Sequence, residues 1–198
     1  AGRTDSGVHA LEQVAHFDLK KKIQKKNLLP AINQNISNKS VTVLKINKIN
    51  KNFHARHDAQ KRTYEYLIVN RQSPLTLQKN KAWHIRKKLD IKAMKKGGKL
   101  LLGTHDFSTY RAASCEAKSS IRTMEKILIK KNKDKIYLQF TSRSFLQQQV
   151  RSMVGCLKYL AEGKWSIDTF QKTFKSKKRS KCAPPAPACG LYLKKISY

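Results

Sequence analysis

The segment SFLQQQVRSMVGCLKYLAEG, residues 144–163, constrains the fold more than any other part of the chain. Its apolar side chains recur with the period of an α-helix and occupy one half of the helical wheel. Arg151 falls outside that half, on the polar flank. A helix of this kind has to bury its apolar half against another element of the fold. The side chains of the apolar half are Phe145, Leu146, Val150, Met153, Val154, Leu157, Leu160 and Ala161.

Strands are predicted around this helix from alternating and β-branched segments. In KRTYEYLIV, residues 61–69, the side chains of Tyr64 and Tyr66 share one face. Two strand-like segments separated by NKD, residues 122–131 and 135–142, predict a β-hairpin. Further strands are predicted in EQVAHFDL (12–19), SVTVLKINKI (40–49) and GLYLKKI (190–196).

Three more helices are predicted, and together with the strands they define the fold class. They are LLPAINQNI with Pro30 near its start, IKAMKKGGKLLLG capped by Asp90, and SIDTFQKTFK. The segment RQSPL interrupts the pattern, and we place a boundary there between an N-terminal half, 1–72, and a C-terminal half, 73–198. Antiparallel strands with two or three helices in each half predict an α+β fold.

The charge of the chain favours a polyanionic partner. Lys and Arg number 43 against 12 Asp and Glu, which gives a formal net charge of +31. Such a surface attracts nucleic acid, although many of the lysines can equally serve only to solubilise the surface. No run reaches the roughly 18 apolar residues of a membrane span, so no membrane association is predicted. Arginine is used sparingly, and the candidates for phosphate or carboxylate contacts are Arg3, Arg56, Arg62, Arg111, Arg143 and Arg151.

The loop AGRTDSGVHA raises the question of function. Gly2 and Gly7 permit a tight bend that presents Arg3 and Asp5 together. An arginine there can bind a phosphate, while an ionised aspartate can act as a nucleophile or a general base. The alternative is an aspartate that only stabilises its own turn, with a solvated Arg3 beside it.

Other chemistries find less support. The sequence has no phosphate-binding G-x-x-x-x-G-K-[ST] loop, no G-x-S-x-G motif and no histidine spacing typical of a metal site. The two histidines of FHARH are predicted to point to opposite faces of an extended segment.

Cys182 and Cys189 bracket a Pro-rich loop and could close a disulfide, but without a secretion signal we expect reduced thiols in a cytosolic protein. Tyr66 is predicted to pack in the core, and Tyr64 either to do the same or to stack on a flipped base.

Five motifs, in order along the whole chain, resemble the TruA-type tRNA pseudouridine synthases. They are AGRTDSGVHA…QVAHF, FHARHDAQKRTYEYLI, LLGTHDFSTYR, FLQQQVRSMVGCL and GLYL. The resemblance implies isomerisation of uridine to pseudouridine at tRNA positions 38, 39 and 40 of the anticodon stem-loop, without metal or organic cofactor. It also implies two ferredoxin-like halves that form a mainly antiparallel mixed sheet, with helices on one side and a basic cleft on the other.

The resemblance assigns roles to five residues. Asp5 matches the catalytic aspartate, as nucleophile or as base, and Arg3 matches the arginine that holds the target nucleotide out of its stack. Tyr64 matches the tyrosine that lies against the target base. Leu191 matches the apolar residue lining the pocket, and Arg151 the basic residue that pairs with the aspartate.

The chain also departs from the family pattern. Relatives carry a strand and helix with a YDG…F.GWQ-like segment before the GRTD loop, so we expect a truncated chain with an incomplete N-terminal half. Arg143 and the three glutamines of SRSFLQQQVR differ from the Asn and His common in relatives. A homodimer is expected from the family. The alternative to a cytoplasmic enzyme is a noncatalytic RNA-binding remnant of one.

Overall fold

The computed structural model describes residues 2–20, 23–37 and 40–198 of the chain. In these ranges none of the helices is long and apolar enough to cross a lipid bilayer. The strands are β1 (His9–Ala10), β2 (Lys61–Asn70), β3 (Trp83–Ile85), β4 (Gly103–Asp106), β5 (Ile121–Asn132), β6 (Lys135–Ser142) and β7 (Leu191–Ser197). The α-helices are α1 (Lys25–Asn35), α2 (Ile91–Leu100), α3 (Gln149–Ala161) and α4 (Ile167–Lys175).

Two compact units make up the chain. The first contains Ala1–Gln13 and Ala59–Tyr198, and the second contains Val14–Asp58. The boundary expected near residue 72 falls inside the first unit, and the division into two halves stays a prediction.

The first unit is built on one mixed, mostly antiparallel sheet. Its strand order is β1-β7-β2-β6-β5-β4, and β3 pairs with β2 off this path. The β1–β7 and β2–β3 pairs are parallel, whereas the pairs β2–β6, β2–β7, β4–β5 and β5–β6 are antiparallel. The α+β class predicted from the pattern of strands and helices is therefore confirmed.

The two faces of this sheet have opposite character. On one face Tyr66 of β2 lies opposite Leu138 of β6, and both side chains are fully buried in the core. On the other face Glu65 accepts hydrogen bonds from Gln139 and Lys194, at 2.6 and 2.7 Å. The apolar residues of the helices join the first face, as the alternation in KRTYEYLIV predicts.

Helix α2 packs closely on the sheet through Gly98 and on α3 through Gly97, because its centre lacks side chains. A Cβ atom on Gly98 would lie 3.2 Å from Cδ1 of Ile129, and one on Gly97 would lie 2.6 Å from Cδ2 of Leu160. Two glycines lower the helical propensity of this segment. Asp90 offsets part of that cost, because its carboxylate accepts hydrogen bonds from two backbone N–H groups of the first turn.

Helix α3 begins later than the apolar pattern predicts, at Gln149 instead of Ser144. Gln148 adopts a left-handed conformation with φ of 59°, which a continuous right-handed helix does not allow. The side chain of Gln149 then accepts a hydrogen bond from the backbone N–H of Leu146 at 2.8 Å. Seven of the eight side chains of the predicted apolar half are buried as expected, and Phe145, which lies before the start of α3, is half-buried.

The second unit contains helix α1 and irregular chain. The helix begins at Lys25, three residues earlier than predicted, so Pro30 lies inside it. The strands predicted at residues 12–19 and 40–49 are wrong, because neither segment forms strand pairs within the described ranges. Val43 instead exchanges two hydrogen bonds with the amide side chain of Asn33, at 2.8 and 2.9 Å.

Candidate active site

The N-terminal loop of the first unit turns sharply after Asp5. The carbonyl oxygen of Asp5 accepts a hydrogen bond from the backbone N–H of Val8 at 3.1 Å. Gly7 lies in the left-handed region with φ of 77°, and a Cβ atom there would be 3.3 Å from Cβ of Ala188. A glycine at this position therefore allows both the turn and its close approach to the segment before β7.

Arg151 in the first turn of α3 pairs with the carboxylate of this loop. Its Nη1 atom donates to Oδ2 of Asp5 at 3.2 Å. The side chains are 16% and 31% exposed, so the pair is partly shielded from water while the carboxylate stays accessible. The geometry joins groups separated by 146 residues of sequence.

The Pro-rich segment 183–190 holds Arg151 at two points. Nε of Arg151 donates to the carbonyl oxygen of Ala186 at 2.8 Å, and Ala186 N–H donates to the carbonyl oxygen of Arg151 at 2.9 Å. The segment also lies directly on α3, since a Cβ atom on Gly155 would be 2.1 Å from the carbonyl oxygen of Pro184. These contacts fix both the backbone and the guanidinium group of Arg151.

Tyr64 and Leu191 lie on the helix-covered face of the sheet, and Tyr64 is near the Asp5 carboxylate. The Tyr64 ring packs edge-on against Phe145, with ring centroids 5.1 Å apart. Burial raises the pKa of Tyr64, the charge of Arg62 lowers it, and the nearby Asp5 carboxylate raises it. Leu191 is 6% exposed and lies opposite Tyr66, two residues along β2 from Tyr64.

The remaining predicted arginine of the site, Arg3, is exposed on the same loop as Asp5. Arg62 and Arg143 lie near Tyr64, where the Arg62 guanidinium donates to the carbonyl oxygen of Arg143. The structure thus joins Asp5 to Arg151, places Tyr64 within electrostatic range of Asp5, and leaves Arg3 open to solvent.

Three contributors to the site were missed from the sequence. Phe145 was assigned only to the apolar half of a helix, although it packs against Tyr64. Ala186 acts through its backbone, which no side-chain pattern reveals. Gly155 carried the best signal, because a glycine in the middle of a regular helix often marks a close approach of another segment.

The histidines of FHARH are arranged differently from the prediction. His54 and His57 were expected to point to opposite faces, but their ring centroids are 4.2 Å apart. The reason is a turn, in which His57 N–H donates to the carbonyl oxygen of His54 at 3.1 Å. Throughout the described ranges, no group of three or more His, Cys, Asp or Glu residues is placed to hold a metal ion.

All four cysteines have free thiols. Cys182 and Cys189 therefore form no disulfide with each other. The Sγ atom of Cys182 lies 3.5 Å from Sγ of Cys156 in α3. The hydrogen bond from Cys156 and the charge of Arg179 lower the pKa of Cys182, whereas that hydrogen bond and burial raise the pKa of Cys156.

Comparison with known proteins gives consistent similarities. A sequence model of the family described as tRNA pseudouridine synthase matches residues 98–198. The tRNA pseudouridine synthase A of Pelagibacter ubique (strain HTCC1062) is 59% identical over all of this chain, which covers 81% of that protein. Proteins of the same name from Maricaulis maris (strain MCS10) and Paramagnetospirillum magneticum (strain ATCC 700264 / AMB-1) are 43% and 44% identical, with 80% and 77% of their lengths covered.

A mixed sheet that supports a loop aspartate beside an arginine, together with these similarities, identifies the class as pseudouridine synthase. The chain belongs to the tRNA pseudouridine synthase family. The resemblance drawn from the five sequence motifs is thereby confirmed.

Proposed function

We propose that this protein isomerises uridine to pseudouridine at positions 38, 39 and 40 in the anticodon stem-loop of tRNA, with Asp5 as the catalytic residue. The observation that carries the proposal is the ion pair between Asp5 and Arg151 at the end of the GRTD loop. The guanidinium group donates a hydrogen bond to the carboxylate and fixes its direction. An ionised, oriented and partly exposed carboxylate is suited to attack a sugar carbon or to accept a proton from it.

The reaction is an isomerisation, so its atoms and electrons balance within the substrate. The bond between N1 of uracil and C1′ of ribose breaks, and a bond between C5 and C1′ forms. The proton on C5 leaves, and N1 gains one. Asp5 acts either as the nucleophile at C1′ or as the base that permits a glycal intermediate, and neither route consumes a metal or an organic cofactor.

The neighbouring side chains supply what the substrate needs before this chemistry. A uridine inside the RNA must leave its stack, which costs a few kcal/mol. Arg3, exposed on the loop, contacts a phosphate and holds the nucleotide out. Tyr64 stacks on the uracil, and Leu191 lines the apolar wall of the pocket.

The direct test is Asp5→Asn, which removes the charge and keeps the size of the side chain. We expect release of tritium from tRNA labelled at uracil C5 to fall at least a thousandfold, while tRNA binding stays within about twofold. The matched control is Asp134→Asn, which breaks an Arg–Asp pair of similar exposure, with Arg71 at 3.0 Å. That control is expected to keep its turnover.

Two results would contradict the proposal. Unchanged tritium release by Asp5→Asn would exclude Asp5 as the catalytic residue. Tight tRNA binding without tritium release by the unmutated protein, made as its gene encodes it, would favour a noncatalytic RNA-binding protein.

We also infer a homodimer and a cytoplasmic location. The dimer rests on the family resemblance alone, and sedimentation equilibrium measures it directly. The cytoplasmic location is supported by four free thiols and by a tRNA substrate. RNA binding is supported by the net charge of +31.

A further inference from the structure

The hydroxyl group of Tyr66 makes one specific contact inside the core. Tyr66 is fully buried on β2, and its Oη atom donates to the carbonyl oxygen of Pro187 at 2.7 Å. Burial raises the pKa of Tyr66, so the hydroxyl stays protonated and remains a donor over the whole working pH range. The contact is part-buried, and the same carbonyl oxygen also accepts a longer hydrogen bond from the backbone N–H of Gly190 at 3.5 Å, so the hydroxyl is the closer of its two donors.

The Tyr66 ring also supports the last residue before β7. A Cβ atom on Gly190 would lie 2.6 Å from Cζ and 2.8 Å from Oη of Tyr66. On its own strand face the ring meets Trp83 edge-on, with ring centroids 6.2 Å apart. Tyr66 is therefore a fixed surface on which the segment 183–190 rests at two places, Pro187 and Gly190.

This segment connects Tyr66 to the reacting group. Pro187 is the direct neighbour of Ala186, whose backbone holds both Nε and the carbonyl oxygen of Arg151. Arg151 in turn holds the Asp5 carboxylate. A shift of the segment away from Tyr66 would therefore move the guanidinium group relative to Asp5.

We propose that Tyr66 is a positioning residue for catalysis: its hydroxyl fixes the segment 183–190 so that Arg151 orients Asp5. This inference rests on the proposed function, because it assigns Tyr66 an effect through the catalytic carboxylate. Tyr66 touches no substrate in this account. Its loss should lower the rate of the chemical step and leave tRNA affinity unchanged.

The first test is Tyr66→Phe, which keeps the ring and removes only the donor. We expect kcat to fall about 10- to 100-fold, as small misplacements of catalytic groups do, with the Kd for tRNA within about twofold. The matched control is Tyr110→Phe, because Tyr110 is also fully buried but its hydroxyl has no hydrogen-bond partner among the described residues. Its kcat should stay near that of the unmutated protein.

A double-mutant cycle separates positioning from general structural support. Arg151→Lys keeps a positive charge but loses the planar group that reaches both Ala186 and Asp5. If Tyr66 acts through Arg151, adding Tyr66→Phe to Arg151→Lys should lower the single-turnover rate by no more than about threefold. Rate losses that multiply fully in the double variant would overturn the proposal.

Gly190→Ala provides a second disturbance of the same contact from the opposite side. Its added methyl group forces the segment and the Tyr66 ring apart, so we expect the same loss of kcat with unchanged tRNA affinity. Unaltered kcat in both Tyr66→Phe and Gly190→Ala would refute the positioning role while leaving Asp5 catalysis intact. An unmutated protein that released no tritium would instead refute the proposed function, and this inference with it.

Discussion

At the scale of single residues, the site depends on a few positions where the backbone itself is constrained. Gly7 combines a left-handed conformation with a close approach to Ala188, and Gly155 admits the carbonyl oxygen of Pro184. Arg151 connects the two regions, because its guanidinium group donates to Asp5 in the loop of Gly7 and to Ala186 in the segment of Pro184. The direction of the Asp5 carboxylate is therefore set by backbone geometry as much as by charge.

Gly7→Ala tests whether the backbone geometry of the loop sets the direction of the Asp5 carboxylate. A side chain in the left-handed region costs about 1–2 kcal/mol, and here the added methyl group also presses on Ala188. We expect kcat to fall at least tenfold, because the loop has to move away from Arg151. Gly163→Ala is the matched control, since Gly163 has φ of 71° but open space around its Cβ position. It should lose similar stability in thermal unfolding and keep its kcat. Equal activity in the two variants would count against a constrained loop.

At the scale of elements, sequence periodicity and turn residues correctly predicted those helices and strands that local interactions determine. The hairpin β5–β6, helix α4 and strand β2 follow from periodicity and turn residues. The segments 12–19 and 40–49 have the composition of strands but form no strand pairs within the described ranges, and strand propensity alone does not create a partner. The GRTD loop was recognisable as a candidate site, whereas the role of Ala186 was not, because a backbone carbonyl leaves no pattern in the sequence.

The turn after β4 gives a pH-dependent prediction at this scale. Asp106 accepts hydrogen bonds from the side chain and backbone of Ser108, at 2.6 and 2.9 Å, and pairs with Lys177 at 3.4 Å. The hydrogen bond from the Ser108 side chain, more than Lys177, lowers the pKa of Asp106 below its usual value of 3.8, although burial opposes this. The lowered pKa means that this stabilisation is complete above that usual value and is lost as the pH falls through the lowered pKa.

Asp106→Asn should therefore lower Tm by about 2–4 °C at pH 7. The difference from the unmutated protein should shrink as the pH falls from about 3.8, where Asp106 of the unfolded chain is protonated, through the lowered pKa of the folded protein. Ser108→Ala removes only the hydrogen bond from Oγ and keeps the one from the backbone N–H, so it should lower Tm at pH 7 by less than Asp106→Asn does. Thermal unfolding followed by circular dichroism measures both. A difference that stays constant from pH 7 to pH 2.5 would contradict this account.

At the scale of the whole molecule, the net charge of +31 dominates encounters with other macromolecules. A phosphate backbone releases counterions when basic side chains neutralise it, so its affinity for this chain depends on salt. Residues of the candidate active site contribute to the salt dependence of RNA affinity only where they contact phosphate. Arg3 is exposed and is assigned such a contact, whereas Asp5 is assigned to the reacting nucleotide.

Binding of tRNA should therefore weaken on the order of a hundredfold or more between 50 and 200 mM salt. Arg3→Gln should reduce the slope of log Kd against log salt concentration by about one, as loss of one phosphate contact does. Asp5→Asn should leave the slope unchanged. Fluorescence anisotropy with labelled tRNA measures all three proteins. A slope that Arg3→Gln does not alter would remove Arg3 from the phosphate contacts.

The contact between residues 5 and 151 also has a consequence for synthesis on the ribosome. Central strand β2 pairs antiparallel only with β6 and β7, and β7 runs to residue 197. The GRTD loop is therefore synthesised long before Arg151 and Ala186, the residues that position its aspartate. A nascent chain therefore lacks the completed site until β7 has been synthesised and has paired with β2.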